Sequence, residues 1–487
     1  MRISSIIPCV RNANGSGHEQ RRQTDGPGKD EVNRMNDFRK TAQEMLEFIR
    51  ISPTCFHAVA NIGRMLEAAG FQQLQEKEEW KLEKGGRYYT ERNDSSVIAF
   101  AIPEKEVGIR GFHMAAAHSD SPCFKIKEKP ELTVEEHYLR LNTEKYGDMI
   151  LSTWLDRPLS IAGRLAVKNG NGIEGRLVNI DRDLCVIPNV AIHMNREMNK
   201  GVEYNPQVDL LPLLADVSFD EYDTHTTYDA QNASENAEEQ PETVEKPTLA
   251  ALAAEAAGVD AETILGEDLF LYTRQEGKMI GAKGEFVLSP RLDDLQSAFA
   301  LTKAFTESTP AEYINLCAVF DNEEVGSGTR QGADSTFLED TLQRITEGLQ
   351  EGHSTYLRWV ADSFLISADN AHAVHPNHPE KADPANRPYL NGGIVIKYHG
   401  SQKYTTDGIS AAKMKDYCER AKVPYQTYAN RSDIAGGSTL GNISTAHVSV
   451  SSVDIGLPQL AMHSAVETAG MKDTEYAVRA LKEFWGE

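Results

Sequence analysis

One stretch constrains this chain more than any other: Val319-Phe320-Asp321-Asn322-Glu323-Glu324-Val325-Gly326-Ser327-Gly328. The apolar run before it, from Ile314 to Phe320, reads as a buried strand that halts in four polar residues with three potential negative charges. Glycines follow, so the backbone turns there. In open α/β sheets, ligands sit outside the carboxyl ends of the strands. Carboxylates gathered at such an end repel one another unless a cation or a proton settles between them. Adjacent residues of an extended segment point to opposite sides. Glu323 and Glu324 are therefore expected to do different jobs, one as a metal ligand and one facing the substrate as a base. A lone Glu-Glu pair is more often solvated surface, so the rest of the chain has to decide.

Three more apolar runs end in the same way. Residues 107–117 stop at His118-Ser119-Asp120, residues 364–368 at Asp369-Asn370-Ala371-His372, and residues 455–462 at His463-Ser464, after which a helix is expected. Taken alone, His118 reads as a satisfied core histidine. Asp120 stands two positions later, however, on the same face of an extended chain, as the hydrogen-bond partner of a metal-bound imidazole would. Asp293, in Arg291-Leu292-Asp293-Asp294-Leu295, precedes a helix marked by Ala298, Leu301 and Phe305. It fits an N-cap and a ligand equally well.

If the four strands are parallel, His118, Glu324, Asp369 and His463 gather at one edge of the sheet, and Asp293 enters from a neighbouring loop. Two histidines and three carboxylates without a thiolate suit two adjacent divalent ions better than a closed structural site. A bridging carboxylate would hold such ions about 3.5–4 Å apart with a water between them. Glu323, next to a ligand, is placed to take that water's proton and return it to a leaving amine. Metal-assisted amide hydrolysis is the expected chemistry, with zinc, cobalt or manganese all acceptable to an N/O donor set.

Composition narrows the setting. At 487 residues and 40% hydrophobic, the chain is long enough for two or three domains. Its formal charge of −23, from 50 basic and 73 acidic residues, argues against a nucleic-acid partner. No apolar run approaches the length of a membrane span. Six scattered cysteines without a C-x-x-C fit reduced thiols, and a cytoplasmic location is expected. Residues 1–35, rich in Gly, Asn, Gln and charge, read as a disordered tail rather than a signal peptide. Met35, just before the first strong helical periodicity, is a candidate start.

The order of textures suggests a split catalytic domain. Residues 36–122 and 284–487 carry the acid- and histidine-terminated runs, whereas 123–283 hold short strands broken by Asn169-Gly170-Asn171-Gly172. Within that block, residues 231–262 contain eight acids and one base, Lys246, and read as a solvated linker leading into a short helix.

Together the motifs His118-Ser119-Asp120-Ser121-Pro122, Arg291-Leu292-Asp293-Asp294-Leu295, Asp321-Asn322-Glu323-Glu324-Val325-Gly326, Ala368-Asp369-Asn370-Ala371-His372-Ala373-Val374-His375-Pro376-Asn377 and Gln459-Leu460-Ala461-Met462-His463-Ser464 resemble the M18 family of metallo-aminopeptidases, from residue 37 to the C-terminus. The resemblance implies an α/β fold, with a zinc-exopeptidase-type α/β/α catalytic domain and an inserted β-rich dimerisation domain. It implies two Zn²⁺ per subunit: His118, Asp293 and Asp369 match ligands of one ion, Glu324 and His463 match ligands of the other, and Asp293 bridges. Glu323 matches the general base and Asp120 the residue that orients His118. His193 matches a histidine that reaches a neighbouring subunit's active site in a tetrahedral homododecamer built from dimers; read by itself, it is a half-buried strand histidine. Lys397, His372 and Tyr404 match substrate-side positions, and a lysine there could hold an acidic first residue. Asp294 stands where the family commonly has Asn. The leading expectation is an aminopeptidase acting on peptides, with Asp and Glu as the candidate first residues. The alternatives are a Leu- or Met-preferring relative, a metal-dependent amidohydrolase or carboxypeptidase, and a non-enzymatic assembly protein that keeps the site as a relic.

Overall fold

The computed structural model describes residues 29–104, 108–170, 172–217, 248–437 and 439–487. Its largest sheet has nine strands, in the order Gln72–Gln73, Arg87–Arg92, Ser96–Ala101, Ile314–Phe320, Phe112–His118, Phe364–Ala368, Ser451–Gly456, Ile394–Tyr398 and Tyr425–Ala429. The four central strands, Ile314–Phe320 to Ser451–Gly456, are mutually parallel. Phe320 pairs with His118 and Ala368 with Ile455, so their carboxyl ends lie side by side.

These strands are apolar on both faces because both are covered. Along Phe112–His118, Ala115 and Ala117 enter the core shared with the helices Cys55–Ala68, Leu292–Thr306 and Asp473–Trp485. Phe112, Met114 and Ala116 face the opposite core, with Phe337, Leu342 and Trp359 from the helices Phe337–Gly348 and His353–Ala361. That two-residue alternation is what makes a three-layer α/β/α body.

A second, six-stranded antiparallel sheet runs Gly172–Asn179, Leu159–Asn169, Ile264–Thr273, Cys123–Val134, Tyr138–Tyr146 and Leu213–Asp216, with a separate core around Phe124, Leu141, Ile161 and Leu269. Its strands interrupt the nine-stranded sheet between Phe112–His118 and Ile314–Phe320. The fold is therefore a mixed α/β body with an added β-rich sheet. A third sheet of five short strands joins Lys278–Ile280, Phe286–Ser289, Glu467–Gly470, Pro458–Leu460 and Ala371–His372. Lys278–Ile280, which the sequence reading grouped with 123–283, thus pairs outside the six-stranded sheet.

Several expectations are corrected. The first helix spans Lys29–Arg50, so the end of the stretch read as a tail is helical; residues 1–28 lie outside the described residues. The run read from residue 107 becomes a strand only at Phe112. The expected run 455–462 is two strands, Ser451–Gly456 in the nine-stranded sheet and Pro458–Leu460 in the five-stranded one. The segment after His463 is the strand Glu467–Gly470, and the helix begins only at Asp473. Pairing with Phe286–Ser289 claims that segment for a sheet despite its helix-like spacing. The linker part of 231–262 lies outside the described residues through 247; the short helix expected after it is Leu249–Ala257. Cys55, Cys123, Cys185, Cys317 and Cys418 are all free thiols. Among the described residues no helix is long and apolar enough to cross a membrane.

Candidate active site

The donor groups converge where the parallel strands end. His118 is the last residue of its strand and Asp369 follows the last residue of Phe364–Ala368. Glu323 and Glu324 follow Ile314–Phe320, but not as extended chain. Asn322 adopts a left-handed φ of 63°, residues Glu323–Val325 form a 3-10 turn, and Gly326 has φ 97°. The two glutamates therefore diverge because the backbone coils, not because a strand alternates. His463 reaches the cluster from the turn between Pro458–Leu460 and Glu467–Gly470, with φ 65°, and not from the end of a parallel strand.

Asp293 occupies the centre. Its Oδ1 lies 3.6 Å from His118 Nε2 and its Oδ2 3.3 Å from His463 Nε2, which is itself 3.4 Å from Glu324 Oε2. Asp293 lies in the first turn of the helix Leu292–Thr306 but has φ −85° and ψ 109°, outside helical values. The Asp293–Asp294 peptide bond is cis. Donor atoms of His118, Asp293 and Glu324 lie within 4.8 Å of one another, as do those of Asp293, Asp294 and Asp369.

The electrostatics describe a cluster short of positive charge. Burial holds Glu323 up at about 8, with Asp369, Asp120 and Asp293 adding to the rise against His118. Burial likewise puts Glu324 and Asp294 well above the usual carboxylate range, reinforced by Asp293, and Asp369 above it. Asp293 goes the other way. Burial would raise it, but His118 and His463 outweigh burial and hold it down. Burial opposes the charged form of His118, yet Asp120 and Asp293 raise it far above the ordinary imidazole range. Asp293 Oδ1, Asp294 Oδ1 and Glu324 Oε1 are buried without a hydrogen-bond partner. Unpaired buried carboxylate oxygens are costly unless a cation or proton satisfies them. An N/O donor set with orphaned oxygens fits divalent metal ions.

The surroundings hold these groups in place. His118 Nδ1–H donates to the Asp120 backbone carbonyl at 3.0 Å, while the Asp120 carboxylate is 3.4 Å away. Asp120 thus orients the imidazole mainly through its main chain, which frees its carboxylate for other partners. Asp120 Oδ1 accepts the Glu323 N–H at 3.1 Å, and Oδ2 accepts the Glu324 N–H at 3.2 Å and the Tyr146 hydroxyl at 2.8 Å. The Asn370 amide donates to the Leu292 carbonyl and to Gln459 Oε1, both at 2.9 Å, joining three of the converging segments.

The expected substrate-side residues are partly brought together. Lys397, on Ile394–Tyr398, is buried with its Nζ 3.6 Å from Asp369 Oδ2 and 5.4 Å from the Tyr404 ring. It fits there because residue 456 is glycine: a Cβ would meet the Asp369 carbonyl and stand 2.9 Å from Lys397 Cε. Tyr428, which the sequence did not single out, lies 6.5 Å from Tyr404 and 6.0 Å from His372, ring to ring. His193 is not a strand residue. It sits exposed in a turn beside the exposed Ile192 and Met194. Sequence reasoning also missed Tyr146 and Glu467, and it noted Asp294 only as a departure. An acid four residues beyond His463 was a signal for Glu467. Nothing in the local sequence pointed to Tyr146.

Comparison with known proteins agrees with this geometry. Residues 48–485 match the family model described as aminopeptidase I zinc metalloprotease (M18). The chain is 46% identical over 448 residues to a probable M18 family aminopeptidase 2 of Clostridium novyi, covering 92% of this chain and 98% of that one. Among solved structures, a chain of the cryo-EM structure of the Ape4 and Nbr1 complex superposes with a TM-score of 0.85 at 36% identity, covering 93% of this chain and 86% of that one. The mApe1 dodecamer of S. cerevesiae superposes with a TM-score of 0.76 at 26% identity, covering 92% and 97%. Convergent donors, α/β body and full-length likeness agree: the chain belongs to the M18 family of zinc metallo-aminopeptidases.

Proposed function

We propose that this protein is a dinuclear zinc aminopeptidase that removes the first residue of peptides, with Glu323 as general base. The single observation that carries the reading is Asp293, whose two oxygens face His118 and His463 from opposite sides while Glu324 closes the second side. His118, Asp293 and Asp369 would hold one ion; Glu324 and His463 would hold the other, with Asp293 shared. When bound, the two ions supply polarisation of the scissile carbonyl and acidification of the attacking water. Zinc is proposed from the family, and cobalt or manganese suit the same donors.

The chain's own residues supply the rest. Glu323 follows Asn322 at the mouth of the cluster and is only partly buried, so its carboxylate can reach an attacking water. It takes a proton from that water as the C–O bond forms, then gives it to the amine nitrogen as the C–N bond breaks. Asp120 fixes the Glu323 backbone and, through its carbonyl, the His118 ring. Lys397, His372 and Tyr404 are proposed to line the space for the first residue. The buried ammonium, raised by Asp369 against the effect of burial, would attract an acidic side chain.

The assembly is also part of the proposal. Residues 123–283 would form the dimerisation insert, and dimers would build a homododecamer like that of the S. cerevesiae neighbour. His193 would then stabilise the carbonyl oxygen in an adjoining subunit's site. The exposed Val190, Ile192 and Met194 around it are the kind of surface an interface covers. The test is hydrolysis of an aminoacyl-p-nitroanilide panel by chelated protein reloaded with zinc, cobalt or manganese. Release from free-amine substrates upholds the reading, and an Asp/Glu preference lost in Lys397→Met puts that lysine in the pocket. Cleavage only of N-blocked or C-terminal substrates would overturn it.

A further inference from the structure

We propose that Tyr146 and the segment behind it, residues 146–153, clamp the six-stranded sheet onto the active site and hold the turn that carries Glu323. Tyr146 is the last residue of the strand Tyr138–Tyr146. Its hydroxyl donates to Asp120 Oδ2 at 2.8 Å and accepts from Asn322 Nδ2 at 2.8 Å. One phenol thus joins the residue that binds the Glu323 and Glu324 amides to the residue that opens their turn. Asn322 Oδ1 is occupied in turn by Thr329 Oγ1 and Gln331 Nε2, both at 2.8 Å.

The segment after Tyr146 grips the other side of the site. At Gly147, φ 78°, a Cβ would stand 3.1 Å from Glu324 Cβ, so the chain passes directly over that ligand. The Ile150 N–H donates to the His463 carbonyl at 2.9 Å, and Thr153 Oγ1 accepts the Ala465 N–H at 2.9 Å. Eight residues from one connection therefore hold both loops that bring in Glu323, Glu324 and His463. Both loops contain left-handed non-glycine residues, Asn322 at φ 63° and His463 at φ 65°. Asparagine tolerates such a conformation, whereas for a histidine it is unfavourable in isolation and is held by surrounding contacts. The clamp supplies those contacts from a sheet that carries none of the donors.

Tyr146 is a positioning residue in this account, and the alternative is simple packing, since its ring also lies edge-on to Phe270 at 5.6 Å. Tyr146→Phe keeps the ring and removes only the hydroxyl. The inference rests on the hydrolase reading for its effect on turnover but not for its effect on the turn. The experiment is hydrogen–deuterium exchange by mass spectrometry on the full-length protein, with and without zinc, alongside steady-state kinetics and metal analysis. In Tyr146→Phe, amides in 321–328 should exchange about tenfold faster or more, while 364–368 stay as in the wild type. The kcat should fall about 10–100-fold, with KM within about twofold and zinc content retained. Tyr138→Phe, exposed at the other end of the same strand, should change neither. Unaltered exchange in 321–328, or faster exchange with unaltered kcat, would overturn the proposal and leave Tyr146 a packing residue. A wild-type protein that cleaves no peptide, yet shows the exchange change in Tyr146→Phe, would uphold the clamp and sink the hydrolase reading.

Discussion

The Glu467 carboxylate accepts the backbone N–H of Asp293 at 3.0 Å, and its other oxygen accepts the backbone N–H of His463 at 2.8 Å. One buried side chain therefore sets the spacing between the central carboxylate and the histidine that faces it. Glu467→Gln would turn one of those acceptor oxygens into an amide donor aimed at an N–H. We expect it to weaken metal retention about 10–100-fold, measured by chelator competition, while the thermal midpoint of the metal-free protein moves little. Wild-type retention would show that the strand pairing of Glu467–Gly470 alone fixes His463.

Glu323 is held by its backbone to Asp120 and is not needed by the donor set. Glu323→Gln should lower kcat about 10²–10⁴-fold with metal content unchanged by elemental analysis. Turnover close to wild type would remove Glu323 as the base. Asp293→Ala should behave in the opposite way, losing both ions, because both histidines face its carboxylate.

His113 offers a pH test away from the donors. Burial depresses its imidazole to about 4, from an ordinary value of 6.5. The ring lies stacked between Tyr313 and Phe484, with centroids at 3.7 and 4.5 Å, and Nδ1–H donates to the Phe484 carbonyl at 3.2 Å. As pH falls through 6.5 the unfolded chain takes up this proton first, so the folded state loses stability until about pH 4, where its own histidine protonates. The total from this group is about 3 kcal/mol. In urea titrations His113→Gln should lose less stability between pH 7 and pH 4 than the wild type does, by up to that amount. Parallel curves for the two proteins would refute the assignment.

The exposed position of His193 makes its proposed role a matter of assembly. His193→Ala alone and Glu323→Gln alone should each be nearly inactive, while co-assembled mixtures should regain about a quarter of wild-type activity or less if the histidine serves a neighbouring subunit. No recovery in mixed assemblies, confirmed by native mass spectrometry, would return His193 to its own subunit or to the surface.

The sequence alone determined where three of the buried strands would stop and which donor types would follow them. Residues 314–320 and 364–368 are too apolar to lie anywhere but inside, so Glu323, Glu324 and Asp369 had to emerge at a sheet edge. His118 followed for the same reason. Those are local facts of solvation, carried by adjacent residues. Tertiary structure decided everything that depends on pairing between distant segments. His463 comes from a turn because Pro458–Leu460 pairs with Ala371–His372 in a different sheet. Glu467 is a strand residue because Phe286–Ser289 lies beside it. Tyr146 meets Asn322 across 176 positions of chain, from a sheet with its own core. No hydrophobic period or motif encodes such contacts, because their free energy exists only once both segments are folded against each other.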